Sequence, residues 1–175
     1  LSYDVALLST IQPILRAGKW GVTVAVRQGE QIVALWPGLK DAVYGVAVDV
    51  GSTTIAAHLC NLSSGEILAS SGAMNPQIRF GEDLMSRVSY VMMNPGGEVD
   101  MTNAVRESLN GLVKDLVKQA ECEVTDLLEI TFVANPIMHH LLLGINPVEL
   151  GGAPFALATD MAVHTLSRDI GVHLN

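Results

Sequence analysis

The sequence has only two cysteines, Cys60 and Cys122, in 175 residues. They lie far apart and form neither a CxxC pair nor the spacing of a zinc or iron–sulfur site. The expectation is two reduced, partly buried thiols in a cytoplasmic protein. Charged side chains are scarce as well, 16% against 49% hydrophobic, a balance that argues against disorder. No apolar run reaches the ~18 residues that cross a bilayer, and no Lys/Arg cluster offers itself to an anionic membrane. Positive charge is the scarcest of all: 10 Lys and Arg stand against 18 Asp and Glu, a net of −8. The deficit is local, since residues 1–44 carry four basic and three acidic groups and the remaining stretch carries six and fifteen. Such a surface repels phosphate backbones, so no nucleic-acid partner is expected. The chain also lacks a secretory signal at Leu1. An apolar helical stripe begins within a few residues of that start, and the expectation is a piece of a longer protein.

Hydrophobic periodicity divides the sequence in two. Val5, Leu8, Ile11 and Leu15 share one helical stripe, with Gly18 placed to stop it. Residues 21–36 then alternate around a turn at Gln28-Gly29 and read as a hairpin, ended by Pro37-Gly38. Tyr44 opens a different pattern. YGVAVDVG, IAAHLCNL and EILASSGA are three strands joined by tight turns, an antiparallel meander. A helix is expected after Gly81, with Leu84, Val88 and Val91 inward, and a break at Asn94-Pro95-Gly96-Gly97. A long helix over 99–120 follows, then a strand at LLEITFVANP, a short helix at IMHHLLLG and an amphipathic segment over 160–170. The order from Tyr44 is β-β-β-α-α-β-α. A helical crossover should return the last strand parallel to the first. That is an α/β class with a ribonuclease H-like mixed sheet, as in the actin, sugar kinase and heat-shock ATPase superfamily. It is incomplete here and preceded by the small helix-plus-hairpin piece.

Chemistry concentrates at Asp49-Val50-Gly51-Ser52-Thr53-Thr54. A nucleoside triphosphate needs donors near its terminal oxygens and a divalent ion to offset its charge. Gly51 would let the backbone approach closely and take unusual dihedrals. Successive amides in such a turn make an anion-binding concavity, and Ser52, Thr53 and Thr54 add hydroxyls. Asp49, at the end of a buried strand, can serve magnesium through water, because that ion keeps most of its hydration. No Lys follows the glycine and no GxGxxG occurs, so neither a Walker loop nor a dinucleotide fingerprint is present. The plain alternative is a β-hairpin whose turn happens to contain Gly-Ser-Thr. The apolar strand before and the β-branched strand after favour the phosphate reading.

The run YGVAVDVGSTTIAAHLCNLSSGEILASSGAMNPQIRFGEDLMSRVSY, with VANPIMHHLLLGINP after it, resembles the ATPase domain of the reductive activators of corrinoid iron–sulfur proteins. The resemblance implies that residues 1–40 are the C-terminal tail of a middle domain and 41–175 the first half of an actin-like ATPase domain. It implies ATP and magnesium as cofactors of the longer protein, which helps return Co(II) corrinoid to Co(I). It also implies a [2Fe–2S] cluster outside these residues, a corrinoid protein as partner, and leaves an oligomer open. Such proteins commonly show Gly-Asn where this chain has Ala134-Asn135. Asn75-Pro76-Gln77, Gly81, Asp83 and Arg87 match the helix-entry signature of these proteins. There Asp83 would orient the attacking water or contact the nucleotide cleft, or else form an i,i+4 ion pair with Arg87 on a solvent face. Two readings from other classes are a non-catalytic actin-like docking module and a small-molecule kinase of the same superfamily.

Other residues invite and then lose a role. His139 and His140 are adjacent, so they point to different helix faces and one ion cannot readily take both. Met92 and Met93 read as core filler, and His58 as a packed or rim histidine. Purified residues 1–175 are expected to be colourless and iron-free. Visible thiolate-to-iron bands with stoichiometric iron would show that the cysteine spacing has been misread.

Overall fold

The structure is a computed structural model that describes residues 1–3 and 5–173. The chain splits into two compact units, Leu1–Val43 and Tyr44–Asn175. Among the described residues no helix is long and apolar enough to cross a membrane.

In the first unit, α1 (Val5–Ala17) packs on a small sheet of β1 (Ser2–Tyr3), β2 (Val22–Arg27) and β3 (Gln31–Pro37). β2 and β3 are antiparallel and β1 runs parallel to β3. The turn after α1 requires Gly18, since a Cβ there would sit 2.1 Å from the Gly21 carbonyl oxygen. The hairpin turns through Gln28 and Gly29, both at positive φ (52° and 73°), a backbone that matches strand twist. The core of this unit is thin. Ala34 is buried, α1 buries no residue fully, and Val5 and Trp20 are about three-quarters exposed, at 75% and 76%.

The second unit is a four-stranded sheet in the order β6-β5-β4-β7, with β4 at Tyr44–Val50, β5 at Thr54–Asn61, β6 at Ile67–Met74 and β7 at Leu127–Ala134. β4, β5 and β6 are antiparallel neighbours, and β7 lies parallel to β4, with Val46 opposite Ile130 and Val50 opposite Ala134. The parallel return expected from the helical crossover is therefore present. Between the meander and β7 lie α2 (Leu84–Met93) and α3 (Gly97–Gln119), and α4 (Pro136–Leu143) follows β7.

Alternation along the strands sorts the two faces. Val46, Val48 and Val50 of β4 and Ile55, Ala57 and Leu59 of β5 are buried in one cluster with Met101, Val105, Leu109, Leu112 and Leu116 of α3. The α3 residues recur at i, i+4, i+8, i+11 and i+15, one continuous stripe laid over the sheet. Each such side chain contributes roughly 1.5–3 kcal/mol by leaving water. The other face, with Ala47, Asp49, His58, Ser70, Thr131 and Val133, is exposed.

Three local expectations need correction. α3 begins at Gly97, inside the stretch read as a break. The reversal is made at Gly96, at φ 87°, and Gly97 opens the helix where a Cβ would meet the Tyr90 ring at 2.8 Å. Residues 160–166 are irregular, and only Ser167–Ile170 forms a 3-10 turn. Met161, Val163 and Leu166 find no packing surface (74%, 45% and 42% exposed), and a short helix without one does not offset its nucleation cost. Met92 and Met93 are 65% and 74% exposed, not core filler. The inward side of α2 is taken by Arg87, Val88 and Val91.

Leu116 is 0% exposed at the C-terminal end of the α3 stripe. Leu116→Ala should cost about 2–5 kcal/mol. In urea unfolding followed by circular dichroism, the midpoint should fall with little change in slope. A midpoint within error of the parent would mean that α3 does not seal this face.

Candidate phosphate-binding site

The parallel pair β4 and β7 ends at one edge of the sheet, where Val50 stands opposite Ala134. Ligands of open α/β sheets gather outside such carboxyl ends. Asp49 alternates with buried Val48 and Val50, so its carboxylate lies on the open face beside this edge. Gly51, Ser52 and Thr53 then cross to β5, where Thr54 begins; Ser52 is half-buried, and Thr53 and Thr54 are exposed.

The glycine is required for space. A Cβ on Gly51 would lie 2.5 Å from the Thr54 carbonyl oxygen, a backbone atom that cannot step aside. The unusual dihedrals expected of Gly51 are absent, since it is not among the positive-φ residues. Close approach alone explains it.

Buried polar groups hold the loop from below. Asn75 is 0% exposed and donates from Nδ2 to the Gly51 carbonyl (2.8 Å). Its backbone N–H donates to the Thr53 carbonyl (2.8 Å). Arg87 is likewise 0% exposed, and its Nη2 donates to the Ser52 carbonyl. Three consecutive carbonyls are thus drawn inward. In a trans peptide the C=O and the following N–H point in opposite directions. The amides of Ser52 and Thr53 therefore face away from Asn75 and Arg87, the orientation an anion needs.

Arg87 also donates from Nε to the Gly81 carbonyl (3.0 Å) and from Nη1 to the Met138 sulfur (3.2 Å) and Gln77 Oε1 (3.5 Å). Gln77 Nε2 in turn donates to the Met101 carbonyl (3.0 Å). The web joins the loop, the entry to α2, α3 and α4. Burial lowers the Arg87 pKa, and the Asp83 charge opposes that. The solvent-face ion pair is therefore wrong for Arg87, which points into the protein. Leu84, Arg87, Val88 and Val91 stand at i, i+3, i+4 and i+7. An arginine on the inward stripe was the signal for this, and the i,i+4 pairing rule obscured it.

Asp83 is exposed and caps α2, accepting from the Ser86 N–H at 2.7 Å. Its carboxyl is held below the usual carboxylate range chiefly by hydrogen bonds from the Ser86 backbone and side chain, with the Arg87 charge a lesser cause. Asn135 plays the same part for α4, accepting from the Met138 N–H at 3.0 Å. Ala134 is not at positive φ, so the turn does not need a glycine there.

His140 is buried with both ring nitrogens engaged, Nδ1 with the Pro136 carbonyl (2.7 Å) and Nε2 with the Ala158 N–H (3.0 Å). His139 is half-buried, and its pKa is lowered by burial and then by His140. His58 sits on the open face with Nδ1 2.8 Å from Ser70 Oγ. Cys60 and Cys122 are both half-buried.

Residues 44–175 match the RACo middle region, and residues 1–42 match the RACo linker region. The chain belongs to the RACo family. Within it, RamQ, a corrinoid activation enzyme of Eubacterium limosum, is 34% identical over 133 residues, covering 76% of this chain and 22% of RamQ. A solved structure of a reductive activator for corrinoid, iron-sulfur protein is 29% identical and superposes with a TM-score of 0.83 over 97% of this RACo-family chain and 28% of that one. The chain thus spans about a quarter of the length of these relatives.

The depressed pKa of Asp83 has a definite sign. Its cap contributes stability above the ordinary carboxylate pKa, and that contribution is lost as pH falls through the lower folded value. Asp83→Ala should lower stability at neutral pH, leave it unchanged in strong acid, and speed amide exchange at Ser86. Denaturant melts at both pH values would reveal an equal loss in each if the charge is irrelevant.

Proposed function

We propose that Tyr44–Asn175 is the first half of an actin-like ATPase domain, with a ribonuclease H-like sheet, in a cytoplasmic activator of corrinoid iron–sulfur proteins. The observation that carries this is the loop after β4. Its Gly51, Ser52 and Thr53 carbonyls are bonded inward, so the Ser52 and Thr53 amides face outward beside the Asp49 carboxylate. Family membership and the fold shared with a reductive activator support the same reading.

The donor set fits a magnesium-bound phosphate. A single carboxylate with hydroxyls around it suits an ion that retains its waters and meets the protein at one or two points. Asp49 would hold the ion through water, while Ser52, Thr53 and Thr54 would donate to phosphate oxygens. Asp83, kept ionised by its cap, is a poor proton acceptor. Its role would be to orient a water by accepting a hydrogen bond. When bound, ATP would supply free energy for the activation step, and the electron that takes Co(II) corrinoid to Co(I) would come through the [2Fe–2S] cluster of the longer protein. The [2Fe–2S] cluster of the longer protein would lie outside these residues, and the corrinoid protein is its partner.

Actin-like ATPases close two lobes over the nucleotide, and this chain supplies one at most. Half a cradle leaves phosphate exposed to water, where charge interactions are weak. Calorimetry should therefore detect little or no ATP binding by residues 1–175. In the longer protein, Asp49→Ala should abolish magnesium-dependent nucleotide binding. Because Asp49 is exposed, stability should change by no more than about 0.5 kcal/mol. Micromolar ATP affinity in residues 1–175, or normal Mg-ATP binding by the Asp49→Ala protein, would remove the roles assigned here.

A further inference from the structure

Arg87 presents an electrostatic problem. Its guanidinium is 0% exposed. Among the described residues its hydrogen-bond partners are the Gly81 and Ser52 carbonyls, Gln77 Oε1 and the Met138 sulfur, all neutral. Burying a cation among neutral groups is costly unless a charge of opposite sign completes the arrangement. Asp83, the acid nearest in sequence, is exposed, commits its carboxylate to capping α2 and reaches Arg87 through its charge and not through a hydrogen bond. The group on which Arg87 bears most directly is the loop itself, through the Ser52–Thr53 peptide.

We propose that Arg87 is the buried positive charge of the phosphate half-site, a positioning residue that acts on the terminal phosphates of a nucleoside di- or triphosphate through the Ser52–Thr53 peptide. This rests on the phosphate reading of the loop. The guanidinium holds the Ser52 carbonyl inward and so fixes the Thr53 N–H outward. It also polarises that peptide, because a donor on the oxygen strengthens the N–H on the opposite side. Finally, it places a full charge on the dry side of the loop, where attraction for an anion is less screened than it would be from a surface lysine. A single buried arginine then does for this loop what a lysine does for a Walker loop, from beneath and without touching the ligand. The sequence accommodates it with Gly81. A Cβ there would lie 2.7 Å from the Arg87 backbone nitrogen, so only glycine lets the chain fold back over the start of α2.

The test uses the longer protein, with calorimetric titration of Mg-ATP and of adenosine, and circular dichroism as the check on folding. Arg87→Met keeps much of the buried volume and removes the charge. Its ATP affinity should fall by about tenfold or more, a difference of one decade in the dissociation constant, while adenosine affinity is unchanged. A merely structural role would weaken both ligands alike, and that result overturns the proposal. So does a folded Arg87→Met protein that binds ATP as the parent does. If Arg87→Met does not fold, Arg87→Lys decides. Retention of the parent's preference for ATP over adenosine, within about threefold, upholds the charge. A folded Lys protein that loses that preference rejects it. Asp49→Ala separates the two readings. Loss of Mg-ATP binding there with normal binding in Arg87→Met leaves the half-site standing and removes Arg87 from it. A parent that binds no ATP at all overturns both.

Discussion

The parallel pairing of β4 with β7 is the constraint on which the second unit depends. β4 is hydrogen-bonded on both sides, to β5 and to β7, and one of its faces is sealed by α3. A parallel neighbour cannot be reached by a tight turn, so the chain must cross over through a helix. The 23 residues of α3 make that crossing and supply the apolar stripe that buries Val46, Val48 and Val50. Once the pair is set, the loop after β4 and the turn after β7 come to the same edge. The position of the candidate site follows from this pairing, which sets the C-terminal ends of β4 and β7 side by side.

The loop's conformation has a different cause. Sheet geometry brings Gly51 to the edge but does not decide which way its peptides turn. Asn75 and Arg87 decide that, both fully buried and both bonded to loop carbonyls. Their burial is tolerable because their polar hydrogens find acceptors, and a half-satisfied web would be worse than an apolar one. Met138 belongs to the same web, its sulfur receiving both Arg87 and Asn75. The packing of α4 and the shape of the loop are therefore coupled.

Much of this was legible in advance. The three meander strands, the parallel return of β7 and the stripe of α3 followed from periods of two and of 3.6 residues. Gly51 and Asp49 stood out because a glycine after an apolar strand and an acid at its end are local features. Arg87 did not stand out, since its partners Ser52 and Met138 are 35 and 51 residues away. Local rules paired it with Asp83 instead. The segment over 160–170 failed for the same kind of reason, its stripe having no surface to meet. Met92 and Met93 are exposed because the inward side of α2 is filled by Arg87, Val88 and Val91.

The sequence by itself determined the class of β2 to β7 and of α1 to α4, the two faces of the sheet and the glycine that lets the loop pass close to Thr54. These are consequences of spacing within one short window, where backbone geometry dictates which side chains share a face. Only the tertiary structure decided which way the loop peptides point and that Arg87 is buried. Those outcomes depend on groups brought together from Asn75, Gly81, Met101 and Met138, and such contacts have no period along the chain from which they could be read.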